Sequence, residues 1–355
     1  MRVDYLIIGQ GLAGSLLAWA LIQRQCNVII LDSGQENASQ VAAGLINPIT
    51  GQRFVKSADV EVLLSAATAC YAALSDFFQQ VFYLQKPMLR IFNSEAESKN
   101  AQRRLHNPDY QAYLSDEHWL TNGLDAFAAP FGVLHQKQTG HLLTSRLLAC
   151  LKDFFIAQGC YRQVDVNYAD IQPYPVLSWQ DILPQRIIFC EGYHIINNPW
   201  FSWLPLQPAK GEILTLHSDT ELPDTIFNYG HWLLPLEKQQ FRIGATFDRE
   251  NINTLPTEQG RASLVTKLKS FSRIWAAAPV LHHQANVRPC TADRQPFIGH
   301  HPENPHISLF NGFGAKGSLQ IPWFSQHFAD ALLRETPLID TCNIQRYYAR
   351  YSSSF

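Results

Sequence analysis

The chain has 355 residues, enough for roughly two domains of ordinary size, with 46% apolar and 16% charged residues, which describes a globular chain and excludes a disordered one. A net charge of −2 gives no field for nucleic acid and no polybasic patch for a membrane surface. No apolar run approaches the length of a membrane span, and the hydrophobic N-terminal stretch is excluded as a signal peptide because it opens with a strand pattern and carries a glycine turn.

Residues 5–8 form an apolar run that reads as a buried parallel strand. The run breaks into Gly9-x-Gly11-x-x-Gly14, a helical pattern follows over 15–25, and a second apolar run, 28–31, ends on Asp32. The three glycines do different physical work. Gly9 allows the tight turn, Gly11 lets the backbone approach a pyrophosphate, and Gly14 lets the helix pack close to the strand. The helix N-terminus offers unpaired N–H groups and the positive end of a dipole to phosphates. Asp32 is placed to accept hydrogen bonds from both hydroxyls of an adenosine ribose, and its charge argues against NADP, whose 2′-phosphate it repels. NAD and FAD both remain open.

A polar loop over 33–40 leads to the small-residue stretch 41–53, where Ala42, Ala43 and Gly44 suggest backbone passing close to something flat and buried. Residues 57–80 are strongly helical, 82–92 read as two short strands around Lys86-Pro87, and 94–106 as a polar helix. The stretch 107–141 is loop-rich, with one strand candidate at 132–134. A helix from 143 stops at Gly159, a short strand is expected at 164–166, and 186–192 is a buried strand that stops on Gly192. Between 210 and 247 the pattern turns to strands with hairpin-length gaps (211–217, 231–236, 240–246), which suggests an antiparallel sheet. A helix at 257–271 and a strand at 282–289 follow, then 307–310, a glycine-rich turn and a final helix at 318–334. There is no internal repeat and no low-complexity linker.

The closing stretch is the second strong signal. Residues 287–299 carry Arg288-Pro-x-Thr-x-Asp-x-x-Pro-x-Ile-Gly299, and 309–322 contain Gly312, Gly314, Lys316 and Gly317. Strand, glycine turn and helix occur again, so a second helix N-terminus points at a ligand, where its dipole suits the negative charge of a reduced flavin ring. Together these pieces resemble the glycine oxidase and D-amino-acid oxidase superfamily of FAD-dependent oxidoreductases. The resemblance covers nearly the whole chain and is strongest at 3–53, 186–193, 209–216 and 285–333; the region 82–140 carries little of it. It implies an α/β fold in which a Rossmann-type FAD-binding domain (1–80, 141–208 and 285–355) is interleaved with an α+β substrate domain (81–140 and 209–284) built on an antiparallel sheet.

Carried over residue by residue, the resemblance gives Gly9, Gly11 and Gly14 to the FAD pyrophosphate and Asp32 to the ribose of its adenosine half. Ala42, Ala43 and Gly44 would pass the isoalloxazine ring, with Leu45 lining the substrate pocket, and Gly192 would approach the cofactor from its own strand end. Gly312, Gly314, Lys316, Gly317 and Ser318 would face the flavin pyrimidine edge. Arg288 would grip a substrate carboxylate, since a guanidinium fork matches a carboxylate in two parallel hydrogen bonds; a surface arginine on a strand is the other reading. Trp232 falls where glycine oxidase has a tyrosine over the substrate, and His231 beside it is a secondary candidate; either can equally be a buried aromatic of the sheet.

The chain departs from the pattern at two places. Glu191 stands where the family has a small or hydroxyl residue, and Ala315 stands where glycine oxidase has a second basic pocket residue, which leaves the acid specificity open. Cys290 is offset from the attachment position of sarcosine oxidase, so non-covalent FAD is expected. The implied reaction oxidises the C–N bond of an amino acid or N-substituted amino acid to an imine by hydride transfer to flavin N5, with oxygen or an electron carrier as acceptor. Two other readings stand beside it: a flavoenzyme acting on a carboxymethylaminomethyl-modified tRNA base, and a non-catalytic FAD-binding subunit of an amine dehydrogenase. The seven cysteines are scattered, odd in number and without a CxxC pair, which favours reduced thiols in a cytoplasm. No histidine pair has metal spacing, so no metal is expected.

Overall fold

The chain's structure, a computed structural model, describes residues 1–116, 127–219, 221–334 and 336–352. The apolar run at the N-terminus is the strand Arg2–Ile8, and it lies inside a six-stranded sheet. The order is Tyr161–Gln163, Val28–Asp32, Arg2–Ile8, Leu183–Phe189, Ile307–Asn311 and Phe297–His300, all parallel except the last. Strands buried on both faces read as continuous apolar runs, which is why Leu6, Ile7, Ile30, Leu31, Ile187, Ile188 and Leu309 show no alternation. The outer strand starts directly after the helix Thr144–Ala157, at Tyr161, and not at the expected 164–166. Backbone pairing with Val28–Asp32 decides it, and the sequence there carries only a weak strand pattern.

The second sheet has eight strands, in the order Val280–Arg288, Ala209–His217, Gln240–Gly244, Trp232–Pro235, Ile226–Asn228, Met88–Ile91, Val133–Gln136 and Leu114–Ser115. One face carries Leu89, Phe227, Leu233, Phe241, Ile243, Leu214 and Leu216, packed on the helix Glu258–Phe271. The other face turns toward the segment that follows the helix Ala38–Val41: Met88, Ile226 and Leu234 pack with Ala43, and Trp232 and Leu45 join that cluster. The two faces follow from the period of 2 in a strand. The part of the loop-rich stretch at 117–126 lies outside the described residues.

One helix among the described residues, Val60–Phe78, is long and apolar enough by length and composition to cross a membrane, contrary to the expectation from sequence. Its buried stripe, Val60, Leu63, Leu64, Ala67, Tyr71 and Leu74, has the spacing of a core helix. The buried Tyr71 hydroxyl donates to Ser318 O at 2.7 Å, which fixes this helix to the start of the helix Gly317–Arg334; that helix is not the final one as expected, since a short helix, Tyr348–Ser352, follows.

Candidate active site

The first glycine turn is built by close approach. Gly9 has φ +104°, and a Cβ there would stand 2.6 Å from Cys190 O. On Gly14 a Cβ would lie 1.9 Å from Gly9 O, so the helix Leu12–Ile22 touches the turn with no room for a side chain. Asp32 closes the cradle from the next strand: Oδ2 accepts from Gln10 N and Oδ1 from Gly34 N, both at 2.8 Å. Each oxygen keeps a further acceptor direction for a hydroxyl. Ser39 Oγ accepts from Leu12 N at 3.1 Å, which brings the short Asn37-capped helix Ala38–Val41 onto the same turn; the expected polar loop there is partly helical.

Gly192 follows the strand Leu183–Phe189, and nothing lies within 4 Å of where its Cβ would be. Its carbonyl accepts from Asn311 Nδ2 at 2.9 Å, and Asn311 Oδ1 accepts from Gly312 N at 2.7 Å. Asn311, at the end of its strand, therefore ties Gly192 to the second glycine turn. Farther along the second turn, Lys316 Nζ donates to Ser57 Oγ at 2.9 Å, and burial, then Arg294, holds its pKa below the usual lysine value. Ser318 is buried at the start of the helix Gly317–Arg334. These cradles, the open space beside Gly192 and the acid at the second strand fit a dinucleotide with a flat ring system, and the residues present suit FAD.

The inner face of the eight-stranded sheet supplies the other wall. Gly244 lies under the indole of Trp232, where a Cβ would meet Cζ2 at 2.6 Å, and Gly211 lies under Arg288, where a Cβ would meet Nη2 at 1.9 Å. The two glycines sit on neighbouring strands, with Ile213 opposite Gly244. Arg288 Nη2 donates to Thr246 O at 2.9 Å, just beyond Gly244. Arg288 is largely buried and burial lowers its pKa; no described carboxylate lies within ion-pair distance. It is thus not the surface arginine of the second reading. Arg242, on the same face, donates through Nη1 to Ala42 O at 3.2 Å and through Nη2 to Val41 O, and so holds the stretch that leads to Gly44 and Leu45. Burial brings its pKa down to about 10, which leaves it charged at neutral pH.

Trp232, Leu45 and Ala43 are therefore brought together, with Arg288 on the same face three strands along, at the sheet edge. His231 is not: its ring lies 6.3 Å from Tyr229, which stacks at 4.4 Å on Phe271 of the opposite face. Adjacent residues of a strand point to opposite sides, so His231 and Trp232 cannot share a pocket. Gly211, Gly244, Asn311 and Arg242 escaped sequence reasoning. A glycine inside a strand pattern is a sign of close approach, and that signal was available at the first two. Glu191, beside Gly192, accepts from the Tyr168 hydroxyl and Asn198 Nδ2, both at 2.9 Å; burial raises its pKa to about 7.

A dinucleotide cradle on a mostly parallel sheet, with a mostly antiparallel sheet that presents a largely buried arginine and an indole, defines an FAD-dependent oxidoreductase. The family model described as DAO, FAD dependent oxidoreductase, matches residues 4–331, and the chain belongs to that family. It is similar to glycine oxidase of Bacillus subtilis (strain 168), 20% identical over 360 residues, which cover 94% of this chain and 93% of that protein. It is also similar to the tRNA 5-methylaminomethyl-2-thiouridine biosynthesis bifunctional protein MnmC of Marinobacter nauticus, 23% identical over 362 residues, 94% of this chain and 56% of that protein. The chain spans about half the length of such bifunctional relatives. Among solved structures, glycine oxidase from Geobacillus kaustophilus shares the fold with a TM-score of 0.81 at 19% identity, covering 95% of this chain and 96% of that one. Iminodiacetate oxidase (IdaA) from Chelativorans sp. BNC1 does so with a TM-score of 0.79 at 18% identity, covering 97% and 98%.

Proposed function

We propose that this FAD-dependent oxidoreductase oxidises the C–N bond of an amino acid or N-substituted amino acid to an imine. The observation that carries the reading is Arg288, a largely buried guanidinium with no acidic partner among the described residues, on the sheet face that turns toward the cofactor cradle. Leaving such a charge without a counter-ion is costly, and a substrate carboxylate supplies one.

Bound non-covalently, FAD supplies a two-electron acceptor for the α-carbon hydride. Gly9, Gly11, Gly14 and Asp32 would hold its adenosine diphosphate half, and Ala42, Ala43, Gly44, Gly192, Gly312, Gly314, Gly317 and Ser318 its ring half. Arg288 binds the carboxylate through its fork while Thr246 O fixes one nitrogen, which sets the orientation of the α-carbon. Trp232 and Leu45 wall the pocket with apolar surface and exclude water. Lys316, held by Ser57, adds positive charge at the second turn. A substrate amine that enters neutral needs no protein base: the C–H bond gives up its electron pair, the nitrogen lone pair forms the C=N bond, and water later hydrolyses the imine. The boundaries that follow are 1–80, 141–208 and 285–355 for the cofactor unit and 81–140 with 209–284 for the substrate unit. The acceptor would be oxygen or an electron carrier, and seven free thiols suit a cytoplasmic setting.

The test is an anaerobic titration of the FAD-loaded protein with a panel of primary and secondary amino acids, read by bleaching of the flavin band. Bleaching by one class, abolished or strongly weakened in Arg288→Ala, supports the proposal; a yellow protein that no amino acid bleaches overturns it. Relatives named for tRNA modification favour a second reading, an N-substituted glycine group on a tRNA base, for which the same titration with tRNA is decisive.

A further inference from the structure

Positive charge continues outward from Arg288 along the second glycine turn. Arg288 and Arg249 lie against the same ring, with Cζ 5.7 and 5.3 Å from the centroid of Phe247. Phe247 is 61% exposed, so one aromatic ring carries an inner guanidinium and an outer one. Cys290, two residues beyond Arg288, is under the field of both, and its Sγ stands 3.5 Å from where a Cβ on Gly314 would be. Lys316, two residues further along that turn, is in turn under the field of Arg294. None of these four cations makes an ion pair among the described residues.

The neighbouring acids are engaged elsewhere. Asp293 accepts from Arg346 Nε, the Tyr347 hydroxyl and Gln295 N. Asp248 accepts from Glu250 N, Asn251 N and Asn251 Nδ2. Like charges so placed repel one another, and an anion among them relieves the repulsion while gaining charge-assisted hydrogen bonds. One carboxylate on Arg288 accounts for the inner charge only. Arg249 and Arg294 remain, both exposed, Arg249 beside the Phe247 ring and Arg294 in the segment between the strands Val280–Arg288 and Phe297–His300.

We propose that the substrate carries a second anionic group on its side chain or N-substituent, held at the rim by Arg249 and Arg294 while Arg288 takes the α-carboxylate. The inference rests on the amino-acid oxidation reading and narrows it to dianionic substrates, with a carboxylate or a phosphate-type group at the far end.

The experiment compares matched N-substituted glycines in the anaerobic flavin titration: N-methylglycine and N-ethylglycine with neutral arms, against iminodiacetate and N-phosphonomethylglycine with anionic ones. The last two separate carboxylate from phosphonate as the source of charge. The expected result is an efficiency at least about tenfold higher for an anionic arm, falling as salt is raised, because exposed charges are screened. In the Arg249→Ala/Arg294→Ala variant the advantage collapses toward parity, and the double lysine variant recovers part of it. Equal efficiency for neutral and anionic arms in the unaltered protein overturns the proposal and leaves amino-acid oxidation standing. So does an advantage that survives in the double alanine variant. Flavin that no compound bleaches removes both readings together. Retardation of tRNA that is lost in the double variant, without preference among the small molecules, assigns the two arginines to nucleic-acid phosphates and also overturns it.

Discussion

A single methyl group on Gly211 tests the position of the Arg288 fork without touching its charge. Gly211 lies on the strand Ala209–His217, and a Cβ there would sit 1.9 Å from Arg288 Nη2 and 2.6 Å from Cζ. Ordinary contact needs about 3.5 Å, so the guanidinium must swing by roughly 1.5 Å and gives up its present alignment. The obstacle is the far end of a flexible side chain, and Gly211 is not among the residues with positive φ, so alanine is tolerated by the backbone. A strand alanine even gains about 0.5–1 kcal/mol over glycine, which offsets part of the cost of the side-chain shift. The carboxylate, by contrast, loses a charge-assisted hydrogen bond of about 1.5–3 kcal/mol, or roughly ten- to hundredfold in kcat/KM. The assay is the anaerobic reductive half-reaction followed by stopped flow, with the amino acid that bleaches the unaltered enzyme best. Gly211→Ala should keep its flavin, its melting temperature and its far-UV spectrum, while the substrate Kd rises at least tenfold. A Kd within twofold of the unaltered value would refute the assignment of Arg288's present position as the carboxylate grip.

Three further outcomes follow from the geometry. Gly14→Ala brings a Cβ against Gly9 O, a backbone atom that cannot step aside, so the purified variant should be colourless and its FAD affinity should fall at least about hundredfold in a fluorescence titration. Arg242→Met removes the donors that hold Val41 O and Ala42 O, and should lower the unfolding free energy by about 2–4 kcal/mol in denaturant titration and loosen FAD binding; an unchanged midpoint speaks against that clamp. Glu191, with its pKa raised from 4.5 to about 7 chiefly by burial, binds its proton more tightly in the folded chain than in the unfolded one. Its contribution to stability is therefore undiminished below about pH 4.5 and declines as pH rises through about 7, by roughly 2 kcal/mol for this partly open group. Glu191→Gln should gain stability relative to the unaltered chain between about pH 5 and about pH 8, and parallel pH curves for the two would contradict the raised carboxyl pKa.

The two glycine turns are legible in the sequence because their chemistry is local. Gly9 and Gly14 are demanded by a strand that must turn within a few residues and a helix that must touch that turn, and both constraints are written in consecutive residues. Two helix starts are legible for the same reason: Ser94 and Thr257 each accept from an N–H three residues ahead. The expected strand at 164–166 failed because its neighbours have no pattern of their own, and the pairing of Tyr161–Gln163 with Val28–Asp32 fixed the position. The helix Val60–Phe78 is strongly helical in sequence and has the length and apolarity of a span, and packing against the helix Gly317–Arg334 gives its stripe a core role.

By itself the sequence determined the cofactor half of this protein: strand, glycine turn, helix and acid act over short separations, so their order alone constrains the backbone. Only the tertiary structure decided the substrate half. Arg288 and Gly211 lie 77 residues apart and Trp232 and Gly244 on different strands, and the contact between each pair arises from sheet register. Register also turned Trp232 inward and His231 outward, and laid Arg242 across the carbonyls before Leu45. Side chains drawn together by strand pairing leave no periodic trace in the chain, because the pairing partner is set by the burial of a whole face and not by the residues nearby.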